Sequence, residues 1–177
     1  MEHKVSKIGL GGGCHWCTEA VFLSLRGVEK VEQGFISPDG NTNSFSEAII
    51  VHYDPKIIAL FHLIEIHVYT HKSTSDHSMR SKYRSAVYVF DAMNFEEVGT
   101  ILEQLQSHFS EQLVTKVYHF ASFKPSLPQF HNYYYANPQK PFCNTYITPK
   151  LRLLMQKFKK RVVVDKISSP HGSFLES

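Results

Sequence analysis

Residues 9–22 read GLGGGCHWCTEAVF, and no other stretch restricts the fold of this chain so tightly. Val5, Ile8 and Leu10 lead into it with strand character, and Glu19, Ala20, Val21, Phe22 and Leu25 leave it as the opening turns of a helix. Gly11, Gly12 and Gly13 lie between, where missing Cβ atoms permit unusual backbone angles and close approaches. A strand must therefore hand over to a helix across a glycine turn, and Cys14 lands at or near the helix N-terminus. Unsatisfied N–H groups and the positive end of the helix dipole meet there. Such a position stabilises a thiolate and draws a cysteine below its free pKa of about 8.5. A lone cysteine is most often a small core hydrophobe. Two cysteines in a C-x-x-C pattern after three glycines, with Trp16 between them, favour a redox or nucleophilic role.

A chain of 177 residues is expected to form one domain, residues 1–158, followed by a partly disordered tail, 159–177. With 42% hydrophobic and 20% charged residues, the profile is that of a soluble globular protein. A formal charge of +3 is too small to argue for nucleic acid. No apolar run approaches the roughly 20 residues of a membrane span. The opening MEHKVSKIGL has no secretory core, and three cysteines are too few for a secreted disulfide framework. A cytoplasmic protein is expected, with no nucleic-acid or membrane partner, whose cysteines do chemistry.

Taken in order, Lys4 to Leu10 is predicted as a strand and Cys14 to Leu25 as a helix stopped by Gly27. Val28 to Ile36 and Ser46 to Tyr53 form a predicted hairpin across the turn-rich SPDGNTNS. Ile57 to Tyr69 and Phe95 to Phe109 have helical spacing, and Ala86 to Phe90 and Val114 to Ala121 read as strands. From Lys124 to Pro149, five prolines and a tyrosine cluster predict a long irregular segment, with a short helix from Leu151 to Phe158. This order predicts an α+β, two-layer sandwich with a ferredoxin-like βαββαβ core, a mixed sheet and a long C-terminal coil.

Five features outside the cysteine turn are weighed for chemistry. Glu47 starts the strand SEAIIVHY, where an acid is usually solvated, and Tyr83 enters a strand within KYRSAVY, where an edge aromatic is equally common. The segment 131–143, HNYYYANPQKPFC, holds the third cysteine among dense aromatics and has the character of a functional loop. His62, His67, His71 and His77 match no usual zinc spacing, so no metal site is expected. The run KFKKR reads as a solvated helix end.

Together these residues resemble the A-type peptide methionine sulfoxide reductases. That family carries a glycine-led G-C-F-W, E-A-V with a strand and D-P, Y-R-S-A before a strand, and a late His with Tyr three residues on, then N-P and a cysteine. Here the pieces are GGGCHWC, EAIIVHYDP, YRSAVY, and His131, Tyr134, Asn137, Pro138 and Cys143, in the same order. CNTYITPKL resembles the strand and P-K-L that follow the cysteine in some members. The chain departs at His15, where the family has phenylalanine, and at Phe142, where tyrosine is common. It also lacks the P-T-Y segment with a second oxygen-binding tyrosine, and SMRSK stands where D-x-G-T-Q is common.

The resemblance implies Cys14 as the nucleophile on the sulfoxide sulfur, Glu47 as the proton donor to its oxygen, and Tyr83 as a hydrogen-bond donor to that oxygen. It implies Trp16 as the apolar wall for the substrate methyl group and Cys143 as the resolving cysteine; His15, His131 and Tyr134 join the expected substrate-binding set. Glu47 must hold a proton when substrate is bound, because an unprotonated oxide is too basic to leave. The implied reaction reduces methionine-S-sulfoxide, in proteins or free, to methionine through a Cys14 sulfenic acid and an intramolecular disulfide. Thioredoxin or a similar dithiol would recycle it, with no cofactor. Cys17 remains an alternative resolving thiol or a relay: helical Cβ atoms at i and i+3 lie roughly 5–6 Å apart and a disulfide needs about 3.5–4.5 Å, so the first turn must distort for a Cys14–Cys17 bond, as a turn preceded by three glycines can. The rival readings are a thioredoxin-like disulfide oxidoreductase and a non-catalytic redox-sensing module on the same fold.

Overall fold

A computed structural model describes residues 4–137 and 139–163. Pro138 and residues 164–177 of the expected tail lie outside the described residues. Five strands form one mixed sheet: β1 (Ser6–Gly11), β2 (Val28–Pro38), β3 (Ser46–Tyr53), β4 (Ala86–Val89) and β5 (Lys116–Pro125). The helices are α1 (His15–Leu23), α2 (Leu60–Thr70), α3 (Met93–Gln106), the short α4 (Tyr133–Ala136) and α5 (Thr148–Phe158). The hairpin β2–β3 pairs Phe35 with Glu47 and Ile36 with Ser46, so the turn-rich stretch is its connection as expected.

The mixed sheet is as expected, and what differs from the expected two-layer sandwich is that its ends meet. Its order is β1–β3–β2–β5–β4, closed into a barrel because β4 also pairs antiparallel with β1. Strand β5 closes it, lying antiparallel to β2 and parallel to β4. Parallel neighbours require a crossover, and α3 supplies it between β4 and β5. Side chains alternate accordingly. Ile8, Leu10, Ile49, Val51, Val87 and Val89 join Phe22, Leu63, Ile64, Ile101 and Leu154 of the helices in the main core. The intervening Ile36, Ala48, Ile50, Ala86 and Tyr88 pack in a second, smaller cluster, with Phe90, Phe120 and Phe123 against it. Strand β3 is buried along nearly all its length, which its β-branched run suits.

The long coil is also corrected. Strand β5 runs on to Pro125, where Gly34 of β2 meets it. Thereafter the chain makes a 3₁₀ turn (Pro128–Phe130), α4, and a π-helical turn (Cys143–Ile147) that continues into α5. The apolar stretch after Cys143 is helical, not a strand. These short turns form because their aromatic and apolar side chains find a surface: Tyr134, Cys143, Ile147, Leu151 and Leu154 all enter the main core. Beyond α5, Val162 bridges to Leu25 and the Val163 N–H donates to the Ser24 carbonyl at 2.7 Å, so the described part of the expected tail is pinned to the end of α1.

Candidate active site

Strand β1 hands over to α1 through Gly12, whose φ of +154° and whose absent Cβ, which would stand 2.5 Å from the His71 ring, leave room only for glycine. Arg80 fastens the turn: its guanidinium donates to the carbonyls of Gly12 and Tyr83, both at 2.9 Å, and to Ser75 at 2.9 Å. Cys14 follows as the N-cap of α1, with φ −56° and ψ 127°, and its carbonyl accepts the N–H groups of Cys17 and Thr18 at 3.1 Å. Its thiol is held below the ordinary value chiefly by the Cys17 thiol beside it. Burial opposes this, and so does Glu47, while the Trp16 and Cys17 N–H groups assist. Cys14 makes no side-chain capping hydrogen bond of full geometry, so the N–H groups act mainly as oriented dipoles.

All three cysteines are free thiols, and the fold gathers them. Cys17 is buried and pushed far up, first because its thiol proton serves Cys14 and then by burial. Cys143, wholly buried at the start of the π-helical turn, is pushed up by burial and by Cys14, with Lys140 opposing. Lys150 of α5 lies under this cluster. Burial lowers its pKa, the Cys17 and Cys14 thiols raise it, and its Nζ donates to the Thr70 carbonyl.

Glu47 is 6% exposed. It is set opposite Phe35 in the β2–β3 pairing, and its N–H donates to the Lys82 carbonyl at 2.9 Å. Its Oε1 lies 3.1 Å from His15 Nε2 and its Oε2 4.0 Å from Lys82 Nζ. Among the described residues, Oε2 is buried without a hydrogen-bond partner. The His15 ring of α1 is buried against β2 and β3, with Nδ1 2.8 Å from the Gly34 carbonyl and a T-shaped contact with Phe35. Burial drives the His15 imidazole below the usual value, and the Gly34 carbonyl and Glu47 pull the other way. Tyr83 is half-buried and joined to this group through Lys82, whose Nζ lies 5.1 Å from its ring centroid.

Trp16 is the centre of an aromatic cluster. Tyr133 stacks on it at 4.1 Å and Phe130 at 5.3 Å, while Phe142 meets it edge-on at 5.2 Å. Tyr134 points elsewhere: it is buried with its hydroxyl 3.3 Å from Thr148 Oγ1. His131 binds the Ser126 carbonyl at 2.9 Å and lines a cavity of about 840 Å³ with Glu19, Gln33 and Tyr135, a cavity that does not include Cys14. The fold thus brings Cys14, Cys17, Cys143, His15, Trp16 and Glu47 together, with His131 and Tyr134 at the margin, electrostatic neighbours of His15 and Cys143 respectively. The sequence did not single out Arg80, Lys82, Lys150 or Tyr133. The density of tyrosines signalled the arm, but not which ring would stack on Trp16. Among the described residues, no three His, Cys, Asp or Glu side chains are grouped to hold a metal ion. No helix among them is long and apolar enough to cross a membrane.

A capping cysteine with a lowered pKa, two further thiols beside it and a buried carboxyl define a thiol-dependent oxidoreductase. The family model for peptide methionine sulfoxide reductase matches residues 6–162. Peptide methionine sulfoxide reductase MsrA of Chromobacterium violaceum is 31% identical over 170 residues, covering 87% of this chain and 97% of the relative. The Pasteurella multocida MsrA is 29% identical, covering 84% and 94%. The chain belongs to the peptide methionine sulfoxide reductase family, and its activity is the thiol-dependent reduction of methionine sulfoxide. Among solved structures, reduced Mxr1 of Saccharomyces cerevisiae has the same fold, with a TM-score of 0.70 at 23% identity over 81% of this chain and 91% of that one. Methionine sulfoxide reductase A of Corynebacterium diphtheriae matches with a TM-score of 0.68 at 20% identity, covering 78% of each chain. Mxr1 in complex with Trx2 matches with a TM-score of 0.57 at 20% identity, covering 75% and 89%.

Proposed function

We propose that Cys14 is the nucleophile, Glu47 the acid and Cys143 the first resolving thiol in reduction of methionine-S-sulfoxide, free or within proteins. The Cys14 thiolate attacks the sulfoxide sulfur while a proton from Glu47 reaches the oxygen. The S–O bond breaks, the protonated oxygen ends on the Cys14 sulfur, and the transient bond between the two sulfurs breaks with its electron pair on methionine, which leaves reduced beside a Cys14 sulfenic acid. A second thiol condenses with it, forming a disulfide and releasing water. A dithiol such as thioredoxin then reduces that disulfide by exchange and is itself oxidised. The known complex of Mxr1 with Trx2 supports a reductant of this kind. Trp16 supplies the apolar wall, and the Tyr133 and Phe142 rings beside it extend that wall along the arm. Tyr83 assists at the substrate oxygen from the far side of Lys82. The order β4–β1–β3–β2, with every neighbour antiparallel, supports a ferredoxin-like core to which β5 has been added as a closing strand.

One observation carries these roles. The turn from Cys14 to Cys17 has a thiol of lowered pKa at its start, a buried carboxyl reached through His15, and both other thiols as electrostatic neighbours. The test is methionine release from methionine sulfoxide with dithiothreitol as reductant. Wild type is expected to turn over and Cys14→Ser to release nothing; a single turnover by Cys14→Ser would remove Cys14 from the role.

A further inference from the structure

We propose that His15 is a positioning residue for the acid: His15 and Glu47 together hold one proton, and that proton is the one delivered to the sulfoxide oxygen. The inference rests on the reading of Glu47 as the acid. Its basis is the pair of hydrogen-bond partners that His15 has. The Gly34 carbonyl can only accept, so at 2.8 Å His15 Nδ1 must carry a hydrogen. Nε2 then has two states open to it, 3.1 Å from Glu47 Oε1. It is either a lone pair receiving the carboxyl proton of Glu47 or an N–H given to the carboxylate. Both states contain one proton between the two atoms. Removing it sets a lone pair against a carboxylate oxygen inside the protein, where little water screens the repulsion. The geometry therefore favours keeping one proton between the two atoms.

The surroundings favour this use. Phe35 lies against the ring and Glu47 is 6% exposed, so the shared proton is shielded from bulk water. Oε2, the other carboxylate oxygen, is buried with no hydrogen-bond partner among the described residues and is free to face the substrate oxygen. The charged and titratable groups around the pair are Cys14, Lys82 and His131. Lys82 and His131 oppose a full positive charge on His15, while Lys82 near Oε2 steadies the carboxylate that remains after transfer. The pair regains its proton from water after each turnover.

The test combines kinetics with a measurement on the unmodified protein. Single-turnover methionine release is measured by rapid mixing between about pH 5 and pH 9 for wild type, His15→Phe and His15→Gln. A ring without nitrogen keeps the contact with Phe35 but cannot share the proton. The ratio of wild-type to His15→Phe rates is expected to approach one at acid pH and to reach about tenfold by pH 8, one pH unit of displacement in the alkaline limb. His15→Gln, which can hydrogen-bond Glu47 but not carry its proton, should follow His15→Phe in the shape of its profile. A ratio independent of pH would mean that His15 only packs, and would overturn the proposal. Nitrogen-15 histidine NMR of the wild type adds a tautomer readout that does not depend on how the variants fold. His15 should carry its neutral-pH proton on Nδ1, and its titration should change in Glu47→Gln. An Nε2–H tautomer, or a titration indifferent to Glu47, would also overturn it. Full activity in Glu47→Gln is a separate outcome: it removes the acid reading itself, whatever His15 does.

Discussion

The Cys17 thiol is the largest single cause of the lowered Cys14 pKa, and its removal has a calculable effect. Hydrogen bonds to a charged acceptor are worth about 1.5–3 kcal/mol. A thiol is a weak donor, so the low end applies. At about 1.4 kcal/mol per pKa unit, Cys17→Ala should raise the Cys14 midpoint by about one unit. The thiolate fraction near neutral pH then falls by up to about tenfold. Each remaining thiolate is more nucleophilic, by roughly half a log unit per pKa unit, so the reaction rate with an alkylating agent should fall only about threefold. The assay is iodoacetamide labelling across pH, with the peptide containing Cys14 quantified by mass spectrometry. Cys17→Ser is the control, since a hydroxyl is the better donor and should hold the midpoint near wild type. Should Cys17→Ala leave the midpoint within a few tenths of a unit, or Cys17→Ser move it equally far, the N–H groups of Trp16 and Cys17 would be carrying the effect instead.

Three further outcomes are expected. Glu47→Gln should slow the chemical step about 10²-fold or more in rapid-mixing experiments, the usual loss for a positioned general acid, and Tyr83→Phe should cost less because it removes one hydrogen bond. After one equivalent of methionine sulfoxide, thiol blocking and peptide mapping should find Cys14 joined to Cys143; a dominant Cys14–Cys17 bond with Cys143 alkylated would reverse the order. His67 is pushed down to about 4 by complete burial, against the pull of the Gly11 and Ala86 carbonyls. The unfolded chain takes up this proton near 6.5, which the folded chain refuses, so stability present above pH 6.5 is lost as pH falls toward 4. Denaturant melts should show a loss of about 3 kcal/mol across that window, flattened in His67→Gln.

Much of the site was legible as local chemistry. Three glycines before a cysteine, and an amphipathic run after it, define a strand-to-helix turn in any tertiary setting, so the capping place of Cys14 followed from residues 9–22 alone. The boundaries of β3 followed equally well from its β-branched run between a turn-rich stretch and Asp54-Pro55. Family resemblance, carried by ordered short motifs, led to the activity. Tertiary structure decided everything that depends on pairing distant segments. Closure of the barrel required β5 to meet both β2 and β4, and no periodicity within residues 116–125 encodes its neighbours. The turns around α4 and Cys143 are too short to announce themselves; they exist because Trp16 and the main core receive their side chains. His15 shows the division most plainly. The resemblance placed it in the expected substrate-binding set; only the packed structure gives its nitrogens to Gly34, 19 positions away, and to Glu47 across the β2–β3 pair. Helical phase sets the direction in which a side chain leaves the backbone, but only the packed sheet determines which carbonyl and which carboxyl it finds there.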